Sequence, residues 1–156
     1  MILWRIATDT PDYTADDMSG AGAKNSGARW NRAGNATLYC GTNISLAVLE
    51  TFVHLNAGGL PLNRYLVEIE VPNDVWVAAY DMRKPPVGWD AIPAGIISFD
   101  IGDNWLKGKK TALMVVPSVI VPEEYNVLIH PHHPDTQKLK VRKVRKWTYD
   151  SRLTKP

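Results

Sequence analysis

Short apolar runs, each too brief for a long helix and each closed by proline, glycine or charge, constrain this chain more than any other feature. Leu3–Ile6, Thr37–Cys40, Arg64–Val71, Ala112–Val116, Val119–Val121, Asn126–Ile129 and Leu139–Val144 read as strands. One helix stands out between them. Asn43 or Ser45 can cap it, Leu46, Leu49 and Val53 form an apolar stripe, and Gly58-Gly59 is placed to stop it. Ala47, Glu50 and His54 share the neighbouring stripe, so Glu50 borders the core instead of pointing away from it. From Asp81 to Trp105 the apolar period weakens, and Pro85-Pro86, Gly88, Pro93, Gly95 and Gly102 predict loops with a short turn of helix. That segment is open to two readings, an irregular surface connection or a mobile flap. The chain reads as one mixed α+β domain over residues 1–156, with no internal repeat or linker.

Composition narrows the class. With 156 residues, 45% of them hydrophobic, the chain can bury a substantial core without disulfide or metal staples. Its only cysteine, Cys40, excludes an intrachain disulfide framework and a cysteine-rich zinc site, which fits a reducing cytoplasm. The N-terminal Met-Ile-Leu-Trp is interrupted by Arg5, too short for a signal-peptide core, and reads as a first strand. No run approaches a membrane span. The expected location is therefore cytoplasmic.

The net charge of +2 is small, but Lys138, Lys140, Arg142, Lys143, Arg145 and Lys146 crowd the C-terminal end. Leu139 and Val141 alternate with Lys140 and Arg142, while Val144 and Trp147 fall out of phase. A bulged edge strand with solvated lysines accounts for this simply; a phosphate-binding or acidic-partner patch is the alternative.

Several chemistries are excluded by motif. No Gly-x-x-x-x-Gly-Lys-Ser/Thr loop occurs, no Gly-x-Gly-x-x-Gly turn follows a strand, and no Gly-x-Ser-x-Gly elbow is present. The His130-Pro131-His132-His133-Pro134 run lacks ligand spacing for a metal, and none is expected. Ser118, between two β-branched runs flanked by Pro117 and Pro122, is either a hydroxyl satisfied at a bulge or one placed to orient a polar group.

The stretch from Gly27 to His54 carries the functional signal. It sets Arg29, Trp30 and Asn31 ahead of Leu38-Tyr39-Cys40 and the helix that bears Glu50. A core needs none of Arg29, Trp30, Asn31 or Glu50 there, whereas a pocket for a charged, ring-bearing nucleotide uses all of them.

These residues give the chain a resemblance to the RES-domain family, small toxins of bacterial toxin-antitoxin pairs. The family's Gly-x-Arg-Trp-Asn-x-x-Gly appears as Gly27–Gly34, its tyrosine as Tyr39, and its Ala-x-x-Glu-x-x-x-His as Ala47–His54. Gly-Asp-x-Trp appears as Gly102–Trp105, Val-Pro-Ser as Val116–Ser118, and Glu-x-Asn-x-Leu as Glu124–Leu128. The match spans nearly the whole chain. One departure is His130-Pro131-His132-His133, where the family commonly shows Asn-Pro-x-His.

The resemblance implies a fold similar to ADP-ribosyltransferase toxins, short strands forming a sandwich around a cleft for NAD, and cleavage of NAD between nicotinamide and ribose. A fixed carboxylate stabilises an oxocarbenium-like ribose, which makes Glu50 the catalytic candidate. Arg29 would anchor pyrophosphate or ribose, Tyr39 would stack on nicotinamide, and Ser118 would hold the ribose or the Glu50 carboxylate. Trp30 and Asn31 would line the wall, with His54 and Asn126 supporting from behind. The leading expectation is NAD degradation by hydrolysis or phosphorolysis; protein ADP-ribosylation with NAD as donor is the alternative. A non-catalytic nucleic-acid or protein-binding module is a reading of another class. By resemblance the partner is a helix-turn-helix antitoxin of the Xre type that blocks the cleft, and the toxin alone is not expected to bind nucleic acid or membrane.

Overall fold

The computed structural model describes residues 1–55 and 60–154; Gly58 and Gly59, expected to end the helix, lie outside the described residues. In chain order the elements are β1 (Ile2–Thr8), α1 (Ala21–Ser26), β2 (Leu38–Gly41), α2 (Ile44–Phe52), β3 (Arg64–Glu70) and α3 (Asn73–Val77). They continue with β4 (Tyr80–Asp81), α4 (Ile96–Gly108), β5 (Leu113–Pro117), β6 (Tyr125–Ile129) and β7 (Lys140–Trp147). The α+β class is as expected. All the named strands join one sheet in the order β4-β5-β6-β2-β1-β3-β7, antiparallel except for the β4–β5 pair.

That sheet is nearly two. Strands β1 and β2 meet through a single register pair, Trp4 with Gly41, whereas β1 and β3 pair along their whole length. Side-chain alternation then sorts the core. Leu3, Leu38, Val67, Ile69, Leu113, Val115, Val127 and Ile129 fill one face with Val75 of α3. On the opposite face, α4 places Trp105 and Leu106 against Met114, Val116 and Leu128, while α2 covers Ile6 and Leu66. The two helical covers sit on different halves of the sheet and leave the seam between them open.

Helix α2 begins as expected: the Asn43 side chain accepts from the Leu46 amide at 2.8 Å. Gly41 lets this first turn lie directly on the sheet, because a Cβ there would stand 3.0 Å from the Ala47 nitrogen. The helix ends at Phe52, earlier than its apolar spacing predicts, and Val53 is half exposed, so the buried stripe is Leu46 and Ala47 flanked by Val48 and Phe52.

Two sequence expectations are corrected. Val119–Val121 is a turn, since the Ser118 hydroxyl accepts from the Ile120 and Val121 amides at 3.1 and 3.0 Å and Glu124 closes the loop back onto Ser118. Residues 96–105 fall in the segment read as loops with a short turn of helix, yet Ile96–Gly108 forms the longest helix among the described residues. Gly95 offers no side-chain cap and Gly102 interrupts the propensity, so tertiary packing and not local preference makes this helix. Gly102 is where it touches the rest: a Cβ there would stand 1.6 Å from the Trp30 carbonyl oxygen.

The basic strand β7 is a bulged edge strand, as its pattern predicts, with the register shift opposite Leu66/Val67. Lys140 pairs with Glu70, Arg142 with Glu68, and Lys143 with Asp9, so much of its charge is met within the fold. No helix among the described residues is long and apolar enough to cross a membrane.

The histidine corner is structural in its contacts. His130 Nε2 lies 2.8 Å from the Leu106 carbonyl oxygen and its Nδ1 accepts from the His132 amide, an arrangement that requires the neutral ring protonated on Nε2. Burial holds its pKa below 6.5, partly offset by the Leu106 bond. Above pH 6.5 both folded and unfolded rings are neutral; as pH falls below it, the unfolded chain takes up a proton that the folded chain resists. Urea unfolding should therefore show stability declining from pH 7.5 to 5.5, with a shallower decline in His130→Asn. Gly102→Ala should cost about 3 kcal/mol through overpacking, read as a lowered urea midpoint.

Candidate active site

A cavity of about 1200 Å³ opens along the seam, lined by Trp4, Tyr39, Gly41, Glu50, Ser118's neighbour Pro117, and Asn126, with Arg29 and the segment Ile92–Ala94 across from them. Parity puts the groups there. Asn126 is opposite both Gly41 and Val116 in the register, and Gly41 is opposite Trp4, so this row crosses the sheet at the seam. Ser118 follows Val116 with the same parity, and α2 carries Glu50 above the row.

Glu50 is held from two sides. Its Oε1 accepts from Ser118 Oγ at 2.7 Å and, through a short bond, from Asn126 Nδ2. Because Ser118 Oγ already accepts two amides, its single proton is committed to Glu50. Oε2 has no hydrogen-bond partner among the described residues, which leaves one oxygen of a fixed carboxylate for the cavity. A strut reinforces this: Asn43, the α2 cap, donates to Glu124 Oε2 at 2.8 Å, tying the helix start to the turn that presents Ser118. Sequence reasoning identified Asn43 only as a cap and missed this partnership across 81 positions.

Arg29 stands on the facing wall. One nitrogen, Nη1, donates to the carbonyls of Trp89 and Ala91, both at 2.9 Å, and pins the segment leading to Ile92–Ala94. Nη2 and Nε have no hydrogen-bond partner among the described residues. Burial lowers the Arg29 pKa, and the charges of Glu50 and Asp90 oppose that shift. The cation and the carboxylate face one another across the cavity without forming a salt bridge.

Tyr39 and Asn31 build the Arg29 loop. The Tyr39 hydroxyl accepts from the Trp30 amide at 3.0 Å and donates to Asn31 Oδ1 at 2.8 Å, and burial raises its pKa. Asn31, fully buried, spends Nδ2 on the carbonyls of Ala23, Arg32 and Asn35. Its side chain is thus committed to the loop, while the Tyr39 ring borders the cavity. Trp30 is buried and stacks on Trp89 with ring centroids 5.8 Å apart. His54 lies past the end of α2, exposed at the cavity rim, and makes no hydrogen bond to Glu50. Cys40 is buried, and burial pushes its thiol to about 12, far from nucleophilic use.

Glu50, Asn126, Arg29 and Tyr39, distant in sequence, are therefore brought to one cavity, with Ser118 buried behind Glu50; Asn31 supports it from within the loop, and His54 stands apart from the carboxylate. Tyr39→Phe should destabilise the fold by about 1–3 kcal/mol in urea unfolding, because it strands the buried Asn31 oxygen and the Trp30 amide.

Comparison with known proteins gives the family. The RES domain family matches residues 2–152. The "Prs ADP-ribosylating toxin" of Sphingobium sp. (strain YBL2) is 59% identical over 154 residues, covering 97% of this chain and 95% of the relative. Proteins named "Toxin Res" from Yersinia enterocolitica and Pseudomonas putida are 35% and 36% identical, covering 88% and 98% of this chain and 88% and 99% of theirs. With the family pattern spread along the chain and its polar residues gathered at one cavity, this protein belongs to the RES-domain toxin family.

Proposed function

We propose that this chain cleaves NAD between nicotinamide and ribose and transfers the ADP-ribosyl group to a protein acceptor. The observation that carries the reading is the Glu50 carboxylate, fixed by Ser118 and Asn126 through one oxygen and open to the cavity through the other. In the reaction the bond from ribose C1′ to the ring nitrogen breaks, and nicotinamide leaves as a neutral molecule with the electron pair. Positive charge grows on the ribose, and a carboxylate already oriented stabilises it without reorganising. Glu50 Oε2 supplies that charge and accepts a ribose hydroxyl. The acceptor's nucleophile then bonds to C1′ and releases its proton.

The other groups position this step. Ser118 and Asn126 keep the carboxylate rotamer; Arg29 offers its free donors to the ribose side of the dinucleotide; the Tyr39 ring forms part of the wall against which nicotinamide rests. The site needs no metal in this scheme.

Sequence alone places NAD degradation ahead of protein modification. The name of the Sphingobium relative favours transfer, and at 59% identity it makes Prs the acceptor to test first. The relatives' names also support an antitoxin partner, which we place over the cavity mouth, with both proteins acting in the cytoplasm.

The test incubates the purified chain with NAD labelled in its adenosine half and purified Prs, and resolves products by mass. Labelled Prs is the expected product. Free ADP-ribose or its phosphate ester with Prs unlabelled would replace transfer by hydrolysis or phosphorolysis, and intact NAD would overturn the enzymatic reading. Glu50→Gln should lower turnover about 100-fold or more. Ser118→Ala should lose about 10- to 100-fold in kcat with KM little changed, since it acts through the carboxylate's position.

A further inference from the structure

Beyond Glu50 and Arg29, the cavity reaches Arg64, the front of a second polar cluster that the proposed chemistry leaves unused; Thr8, Trp147 and Tyr149 stand behind it. Thr8, Arg64 and Trp147 are direct neighbours across β1, β3 and β7, so their side chains share one face of the sheet. Tyr149 continues the row, packed edge-on against Trp147 and tilted against Phe52 of α2. In this row Thr8 Oγ1, Arg64 Nε, Trp147 Nε1 and the Tyr149 hydroxyl are all buried, and none has a hydrogen-bond partner. Tyr149 is only 4% exposed. Its hydroxyl stands within the influence of the Arg64 charge and near Thr51 Oγ1, which donates its proton to the Ala47 carbonyl and keeps a lone pair toward Tyr149, but the approach falls short of hydrogen-bond geometry.

Such a gathering is unusual. Folded proteins satisfy nearly all buried polar atoms, so a run of orphans at one place points to a group that is absent from the chain itself. The cluster is not sealed off: Arg64 and Thr51 line the same cavity as Glu50, with His54 at its rim. Arg64 forms no ion pair and no side-chain hydrogen bond among the described residues, unlike Arg32, which is fully engaged by Asp100 and Asp103.

The chemistry of the row selects its ligand. Arginine and indole nitrogens only donate, and the two hydroxyls can turn their protons the same way. Donors without acceptors are satisfied by an oxygen-rich anion, and the planar guanidinium suits phosphate. We propose that Arg64, with Thr8, Trp147 and Tyr149, forms a subsite for phosphate oxygens of the dinucleotide, beyond the C-terminal end of α2 from Glu50. This rests on the NAD-using reading. It divides the work between two of the cavity's arginines: Arg29 serves the ribose next to the carboxylate, and Arg64 receives the phosphate end. A helix end lies between them, so the dinucleotide spans the seam.

Calorimetry with purified full-length chain tests the subsite, using ADP-ribose, adenosine and inorganic pyrophosphate as probes. ADP-ribose should bind Arg64→Gln about tenfold or more weakly than wild type, with adenosine affinity unchanged and Arg64→Lys intermediate. Tyr149→Phe, which keeps the ring packing, should weaken ADP-ribose severalfold and spare adenosine. Equal binding of ADP-ribose to wild type and Arg64→Gln, or no binding to wild type, would overturn the subsite and leave the row to water. Pyrophosphate binding with the same Arg64 dependence and the same affinity as ADP-ribose would reassign it to a free anion. The two proposals fail separately. Glu50-dependent NAD cleavage with ADP-ribose binding indifferent to Arg64 removes only the subsite, and Arg64-dependent ADP-ribose binding without NAD cleavage removes only the enzymatic reading.

Discussion

Everything in this molecule depends on one thin seam, the single register pair between Trp4 and Gly41 that joins two halves of the sheet. Continuous pairing there would extend a flat, packed face from β5 to β7. Instead the halves carry separate helical covers, α2 on one and α4 on the other, and the space between them is the cavity. Gly41 is the pivot because the absence of a side chain lets α2 begin directly on the sheet. A close approach at that point is what brings a helical glutamate within reach of a serine and an asparagine on β-structure.

Around Glu50 the polar groups divide in two: those that face the cavity are held by partners that leave one function free, and those behind them are fully engaged. Glu50 spends one oxygen and keeps one. Arg29 spends one nitrogen on Trp89 and Ala91 and keeps the rest. Tyr39 and Asn31 are consumed entirely, and they make the loop that carries Arg29 rigid. Preorganisation of this kind is costly to fold and effective in use, since dipoles already oriented need not move as charge develops.

The region from Asp81 to Trp105 shows how local signals mislead. Prolines and glycines there leave room for only a short helical turn in the local reading, yet Ile96–Gly108 is helical throughout, because Ser98, Gly102, Trp105 and Leu106 have a surface to bury against. Gly102 weakens the helix as a free peptide and permits it in the fold, where the Trp30 backbone occupies the space of its missing side chain. Val119–Val121 errs in the other direction. Its β-branched residues suit a strand, but the Ser118 hydroxyl takes the amides that a ladder would need. The early end of α2 has the same character: periodicity extends to His54, whereas the hydrogen-bonded helix stops at Phe52.

The sequence by itself determined the α+β class, most strands, the start of α2 and the charged edge at β7, while its resemblance to the family singled out Arg29, Tyr39, Glu50 and Ser118 as candidates. Those features rest on alternation, capping and motif spacing, which are local. Only the tertiary structure decided that Asn43 braces Glu124, that Asn31 is wholly internal, that His54 stands away from the carboxylate, and that Arg64 shares the cavity. These depend on which residues the sheet register sets opposite one another and on which amides a turn consumes. Neither is written in any short window of the chain, because a hydrogen-bond partner is chosen by distance in space and by competition among neighbours that only the folded sheet brings together.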